Sequence, residues 1–453
     1  MVSTPVEASA RVSFVSLGCP KNLIDSEVLL GHLVKGGFTL VGDGEETDVV
    51  VINTCGFLQA SEQESMETIA EMVKRKQKGR LKAVVVAGCL PQRHGEGFAK
   101  RLKNVDAVLG ITGREKIAEI CEGLLEKIGR KTPLDLVSSD LPKYEVDRDR
   151  LPLTARHTAY LRLSEGCNHT CAFCIIPKIR GPFRSKPMEV IVDEAKALAG
   201  RGVKELNLIA QDLTNYGLDL YRKLCLEELL EKLADVQGLE WIRLLYAYPT
   251  FVTDRLIDAV ARIPKVVKYI DMPIQHTRDR VLRLMRRGIT EKRQKDLIAK
   301  WRERVPGLVF RTTVIVGFPG ETEEDFDGLV ADLGQLRFER LGAFKYSPEP
   351  GTAAFGMAGE VGAKVMTSRF DRVMQQQQEI VFDHNRSWIG RVVPVVVERK
   401  VKKTLFEGRT YGDAPEIDTV IALHGAGAEG EIRKACITGF KDYDLIGELT
   451  ASK

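Results

Sequence analysis

From about residue 12 to residue 346 the chain repeats one pattern: a short, apolar, β-branched run, a stretch with helical spacing, then another run. The first three runs cover residues 12–17, 49–52 and 83–87, and helical patterns lie between them at about 24–35 and 61–76. Ser61 and Glu64 have the spacing of a capping box that would open the second helix. Runs this apolar are buried on both faces, which calls for parallel pairing under two layers of helix. The expected fold class is therefore α/β, opening on a flavodoxin-like parallel sheet over residues 10–140. Parallel strands end on one edge, where open α/β sheets bind ligands. Each early run is followed at once by a cysteine, Cys19, Cys55 and Cys89, so these three are expected to converge.

A second group of thiols, Cys167, Cys171 and Cys174, has the spacing C-x3-C-x2-C, and no fourth cysteine follows within fifty residues. An iron-sulfur cube takes four cysteines, so three leave one iron with an open position able to chelate a small molecule. Structural zinc instead takes four ligands from paired motifs. The same reasoning makes Cys19, Cys55 and Cys89 a second cluster site; a single cysteine at a strand end would read as a buried hydrophobe, but three at equivalent positions do not. Cys121, Cys225 and Cys436 have no such company and read as packing residues.

Composition sets bounds on the rest. At 453 residues the chain has room for two or three domains. No run approaches the roughly 18 apolar residues of a membrane helix, and Met1 to Arg11 lacks the apolar core of a secretory signal. A cytoplasmic location follows as the default, and nine cysteines there are metal ligands or free thiols rather than disulfides. A net charge of +4 is too weak to announce a nucleic-acid partner.

A charged, proline-bearing linker is expected at 141–157, including Asp147, Arg148, Asp149 and Arg150. Over 158–384 strands are expected near 159–163, 205–209, 241–246, 266–270, 309–316 and 341–346, a partial (β/α) barrel with its chemistry at the C-terminal strand ends. Cys167, Gln211, Asp212, Tyr248, Asp271, Gln275, His276 and Gly317 fall at those ends. Residues 314–322 run from a strand through a glycine turn that would let the backbone approach a ligand, and Thr322 then opens a helix. His169 and His276 read as hydrogen-bonded loop histidines. Arg180 and Arg184 read either as contacts for a carboxylate or as surface arginines, and the basic run 74–80 as a solvated helix end.

Beyond residue 384 short strands alternate with glycine-rich turns, the pattern of a small β-barrel over 385–453. From Arg386 onward there are 11 Lys+Arg against 10 Asp+Glu, short of an RNA-binding footprint. The loop 408–418 gathers Asp413, Glu416 and Asp418, which would repel phosphate and suit a basic protein partner.

C-x3-C-x2-C with Phe173 before its last cysteine resembles the signature of the radical S-adenosylmethionine (SAM) enzymes. Ser16-Leu17-Gly18-Cys19-Pro20-Lys21-Asn22, Asn53-Thr54-Cys55-Gly56 and Gly88-Cys89-Leu90-Pro91-Gln92-Arg93 resemble the N-terminal domain of the methylthiotransferases, and the C-terminal barrel resembles their TRAM domain. The match runs from about Val12 to Leu449. It implies two 4Fe-4S clusters, a radical cluster on the catalytic Cys167, Cys171 and Cys174 and an auxiliary one on Cys19, Cys55 and Cys89. It also implies SAM bound with help from Phe173, Gln211, Asp212, Gln275, Gly317 and Glu321. One SAM would methylate a sulfur at the auxiliary cluster; another, split to a 5'-deoxyadenosyl radical, would open the substrate carbon to the methylthio group. A flavodoxin- or ferredoxin-type protein would supply electrons. Residues 17–27, 271–276 and 408–418 look like the branch that modifies an aspartate β-carbon of small-subunit ribosomal protein S-twelve, free or in the ribosome. Residues 346–352 mix features of that branch and of its alternative, the tRNA adenosine enzymes; a tRNA partner and a membrane are not expected.

Overall fold

Every residue of the two runs at the centre of the first sheet is buried, Val49–Thr54 (β3) and Ala83–Gly88 (β4), because helices cover both faces of strands that carry almost nothing but Val, Ile and Ala. The computed structural model describes residues 10–42, 45–127 and 132–450. Of the N-terminal residues read above for a secretory signal, 1–9 lie outside the described residues, as does 451–453 of the C-terminal module. The described chain forms two compact units. The first runs up to Leu153 and includes Glu165–Asn168 and Ile175–Arg184; the second holds Thr154–Ser164, His169–Cys174 and everything from Ser185.

In the first unit β3 and β4 join Arg11–Ser16 (β1), Thr39–Leu40 (β2), Ala107–Leu109 (β5) and Leu134–Leu136 (β6) in one parallel sheet of order β2-β1-β3-β4-β5-β6. This is the flavodoxin-like order, with its switch point between β1 and β3. Alternate residues of the strands face opposite layers. Val49, Val51 and Val85 pack with Leu29 and Leu33 of Pro20–Lys35 (α1), whereas Val50, Ile52 and Val84 pack with Ile69 and Met72 of Gln59–Gln77 (α2). The helix Ile117–Glu126 covers the first face, with Cys121 fully buried as a packing residue. Helix α2 begins two residues before Ser61, so the expected capping box does not form: Leu58 is the N-cap, with no side-chain bond. The basic run ends α2 as expected, although Lys76 also pairs with Asp106 at 2.5 Å.

The second unit is built on six parallel strands, Thr158–Arg162, Glu205–Ile209, Trp241–Leu244, Val266–Asp271, Val309–Val316 and Arg340–Lys345, paired in chain order. All six lie where the sequence predicts them, and helices between them bury the large apolar core that also takes Cys225. A 26-residue helix, Ala363–Trp388, leads to a closed five-stranded barrel. Its strands are Val392–Lys402, Leu405–Thr410, Ile421–His424, Ile432–Lys441 and Asp444–Leu449. Thr322 opens Glu323–Leu336 with a full capping box to Asp325.

One expectation is overturned here. The loop 408–418 is not a free acidic surface, because two of its three acids are spent inside the unit. Asp413, 1% exposed, accepts from Arg340 Nη2 at 2.6 Å and from Thr410 and Thr419, and Asp418 accepts from the Tyr269 hydroxyl at 2.7 Å. Beside them Arg409 donates to Glu205 at 2.5 Å, and Arg243 donates to both Glu205 and the Tyr411 carbonyl. Only Glu416 points to solvent together with Ile417. The loop thus closes the N-terminal end of the six-stranded sheet, and Gly412 sits so close that a Cβ there would lie 2.7 Å from Val309 Cγ2. Charge repulsion read from sequence assumed exposure; the arginines at the strand starts, far away in sequence, are what the acids answer.

Burial alone would raise the Glu205 carboxyl, but Arg409 and Arg243 outweigh it and hold it at about 2. Asp413 is also lowered, burial being outweighed by Arg340 and three hydrogen bonds. Both carboxyls have folded pKa values below the ordinary carboxylate range, so the stability they contribute is complete above about pH 4 and is lost as the pH falls toward their folded values. The melting temperature is expected to drop steeply below about pH 4, as followed by circular dichroism. Arg340→Met, which strands Asp413, should cost about 3–5 kcal/mol in denaturant unfolding, and Glu416→Gln less than about 0.5 kcal/mol.

Candidate active site

The C-terminal edge of the first sheet carries Cys19, Cys55 and Cys89, one after each of β1, β3 and β4. Cys19 is the N-cap of α1, whose first turn starts with Pro20, so its sulfur stands at the positive end of a 16-residue helix dipole. Gly18 before it has φ 97°, and a Cβ there would lie 3.2 Å from Cys55 Sγ. Cys55 is fixed through its own backbone, its N–H donating to Ser65 Oγ and its carbonyl accepting from the same hydroxyl. Cys89 lies 3.8 Å from Asn22 Oδ1 and accepts from Arg180 Nη2 at 3.0 Å. All three follow strands that end on this one edge, as parallel pairing predicts; burial pushes the Cys89 thiol up to about 12, with the Arg180 guanidinium opposing the rise.

Cys19, Cys55 and Cys89, two buried and one exposed, supply the thiolate donors that would hold three irons of an iron-sulfur cube. Among the described residues, no three His, Cys, Asp or Glu side chains form a group that could hold a single metal ion. A metal would displace the thiol protons, so loading at this edge releases protons.

Cys167, Cys171 and Cys174 follow one another on a single loop. In the second unit that loop is pinned through Ala172, whose N–H donates to the Met285 carbonyl at 2.9 Å and whose carbonyl accepts from Ala354 at 2.7 Å. His169 Nε2 pairs with Asp212 Oδ2 at 2.7 Å and stacks on Tyr248 with centroids 3.6 Å apart. Arg287 lies over the Tyr248 ring and points Nη1 at Cys171 Sγ, 3.5 Å away. Burial pushes the Tyr248 hydroxyl up to about 12. Phe173 meets Phe318 edge-on, and with Ala172, Met285 and Tyr346 they form a small apolar cluster under the loop.

The other expected cofactor residues divide into two kinds. Asp212 has both carboxylate oxygens engaged, Oδ1 by Thr214 and Asn215 and Oδ2 by His169. Glu321 is likewise consumed: Oε1 faces His276 at 3.2 Å, and Oε2 accepts from Arg369 and from the Gly317 N–H. Both residues brace the loops they belong to, and both histidines are hydrogen-bonded loop residues as expected. Gln275, by contrast, holds a left-handed backbone, φ 68°, bridged to Val314, and its buried Oε1 has no protein partner. Gln211 lies half-buried at the end of Glu205–Ile209. Gly317 turns with φ 74° directly under Met366. Arg180 is 2% exposed, so the reading of it as a surface arginine fails; Arg184 bonds the Arg180 and Pro182 carbonyls. Arg287 carries no local signal, because its partners Cys171 and Tyr248 are distant in sequence.

Three family models match in succession: the uncharacterized protein family UPF0004 over residues 11–110, the radical SAM superfamily over 161–333 and the TRAM domain over 389–450. A curated protein from Anaeromyxobacter sp. (strain Fw109-5), ribosomal protein uS12 methylthiotransferase RimO, is 46% identical over 447 residues, 98% of this chain and 94% of its own. Its namesake from Geobacter sulfurreducens is 44% identical over 98% of this chain and 99% of its own. The chain belongs to the RimO family. It is therefore a radical SAM methylthiotransferase, and membership brings with it a 4Fe-4S cluster and SAM. Among solved structures, the radical SAM methyltransferase TsrM from Kitasatospora setae shares the fold, with a TM-score of 0.56 at 16% identity over 77% of each chain. The cobalamin-dependent radical SAM enzyme OxsB aligns with a TM-score of 0.53 at 12% identity, over 82% of this chain and 56% of its own. No helix among the described residues is long and apolar enough to cross a membrane.

The RimO-family turn at Gly317 is strained for any other residue. Gly317→Ala must hold φ 74° and displace Met366 Cγ from 2.2 Å, which should lower stability by about 1–3 kcal/mol in denaturant unfolding. Adding Met366→Ala removes the collision but not the backbone strain, so it should not restore the parent value.

Proposed function

We propose that this chain places a methylthio group on the β-carbon of an aspartate of small-subunit ribosomal protein uS12, the protein called S-twelve above. The observation that carries the reading is the end-to-end match to relatives named for that activity, at up to 46% identity over 98% of the chain. A tRNA-directed activity has no comparable support. The three family matches and the break between the units after Leu153 support three domains, 10–140, 158–384 and 385–453, joined by a linker at 141–157.

When bound, clusters at Cys167/Cys171/Cys174 and Cys19/Cys55/Cys89, with SAM, supply a carbon-centred radical and a sulfur to be methylated and transferred. The chain's own part is to hold and orient. His169, fixed by Asp212 and Tyr248, and Ala172, fixed by two backbone bonds, hold the cysteine loop in one geometry. The Gln275 amide, with an acceptor left over, and Gln211 take polar groups of SAM, while Gly317 lets the backbone approach it. Phe173 supplies an apolar edge, and Asp212 and Glu321 act through the loops they brace. Electrons come singly from a flavodoxin- or ferredoxin-type protein.

Mass spectrometry of uS12 and of tRNA nucleosides from a strain lacking the gene, against its parent, tests the assignment. Loss of the methylthio group from uS12 alone is expected; loss from tRNA alone would replace the reading. In vitro, the full chain carrying Cys19→Ala, Cys55→Ala and Cys89→Ala should still cleave SAM under reducing, anaerobic conditions while methylthiolation of uS12 falls below detection. Retained methylthiolation would remove the auxiliary cluster from the mechanism.

A further inference from the structure

Arg180 ends the short helix Ile176–Arg180, six residues after the last cysteine of the C-x3-C-x2-C loop, yet it belongs to the first unit. Ile179 of the same short helix packs with Ile111 and Cys89. The Arg180 guanidinium is held from one side by two carboxylates, Nη1 donating to Asp25 Oδ2 at 2.8 Å and to Glu165 Oε2 at 3.2 Å. From the other side Nη2 donates to Cys89 Sγ at 3.0 Å and approaches Asn22 Oδ1 at 3.5 Å. Asp25 is itself tied to Arg114, and Arg180, Asp25 and Glu165 are each no more than 2% exposed.

A guanidinium does not lose its proton in a protein, so this places a permanent positive charge and a directed N–H on one sulfur of the Cys19/Cys55/Cys89 edge. The carboxylates fix its orientation, as a planar fork with two filled sides has little freedom on the third. Hydrogen bonds to cluster sulfurs and nearby positive charge stabilise the more negative, reduced state of an iron-sulfur cluster and raise its potential. We propose that Arg180 is a positioning residue that sets the reduction potential of the auxiliary cluster through its hydrogen bond to Cys89. The proposal rests on the reading of that edge as a cluster site. It also assigns a purpose to the placement: the chain segment that leaves the radical-cluster motif is the one that tunes the second cluster.

The test uses the full-length chain with Cys167→Ala, Cys171→Ala and Cys174→Ala as parent, so that only the auxiliary site binds iron after anaerobic reconstitution. The parent is expected to hold about four irons. Adding Arg180→Gln should shift the midpoint potential of its one-electron couple, followed by electron paramagnetic resonance, to more negative values and speed iron loss to a chelator several-fold. Arg180→Lys, which keeps the charge but not the fork, should shift the potential in the same direction by less. An Arg180→Gln protein that holds its iron with an unchanged potential overturns the proposal, and if that variant does not fold, an unchanged potential in Arg180→Lys does so. A parent that binds no iron overturns the cluster reading itself, and the proposal with it.

Discussion

Glu205 is a carboxylate with no exposed surface, and the second unit depends on its being answered. It accepts from Thr158 of the neighbouring strand, from Arg243 of the next strand and from Arg409 of the C-terminal barrel. A buried carboxylate left alone would cost several kcal/mol, so the strand ends and the barrel loop have to meet there. Arg409 then pairs with Glu398, and Glu398 with His157 just before the first strand. The same logic recurs at Arg340 with Asp413 and at Arg311 with Asp271 and Asp418. The foot of the sheet is a lattice of charges, whereas the faces of the sheet are apolar.

The first unit uses charge in the same way around its cysteines. Arg114 and Arg180 share Asp25, and Glu145 and Glu165 complete the set. Arg150 pairs with Glu27, two residues further along α1. A helix that presents Asn22, Asp25, Ser26 and Glu27 to the interior beside its apolar residues cannot be packed by burial alone. Its polar face is fixed by arginines from three separate stretches of chain and by Ser16 and Asn53 of the sheet.

Much of this was legible in sequence. The strands of both parallel sheets declare themselves by β-branched runs, and the convergence of Cys19, Cys55 and Cys89 follows from parallel strands sharing an edge. Short strands such as Thr39–Leu40 and Leu134–Leu136 escaped because two or three residues carry no periodicity. Ser61 matched a capping box by spacing, but α2 starts earlier. Long-range charge was the largest loss: nothing near Asp413 names Arg340, and nothing near Arg180 names Asp25. At the cofactor site the motifs located the right loops, while the division between residues that brace, such as Asp212 and Glu321, and residues with a spare acceptor, such as Gln275, appears only once partners are seen.

The seating of the loop 408–418 at the N-terminal end of the strands has a mechanical consequence. Radical chemistry in such a sheet belongs to the opposite, C-terminal end, and the strand Val309–Val316 alone spans about 26 Å at roughly 3.3 Å per residue. The small barrel cannot swing toward the chemistry without pulling Asp413, Arg409 and Tyr411 out of their partners. It is a fixed handle rather than a jaw. The handle is thus held a strand's length from the C-terminal strand ends, and within the second unit it acts as a spacer.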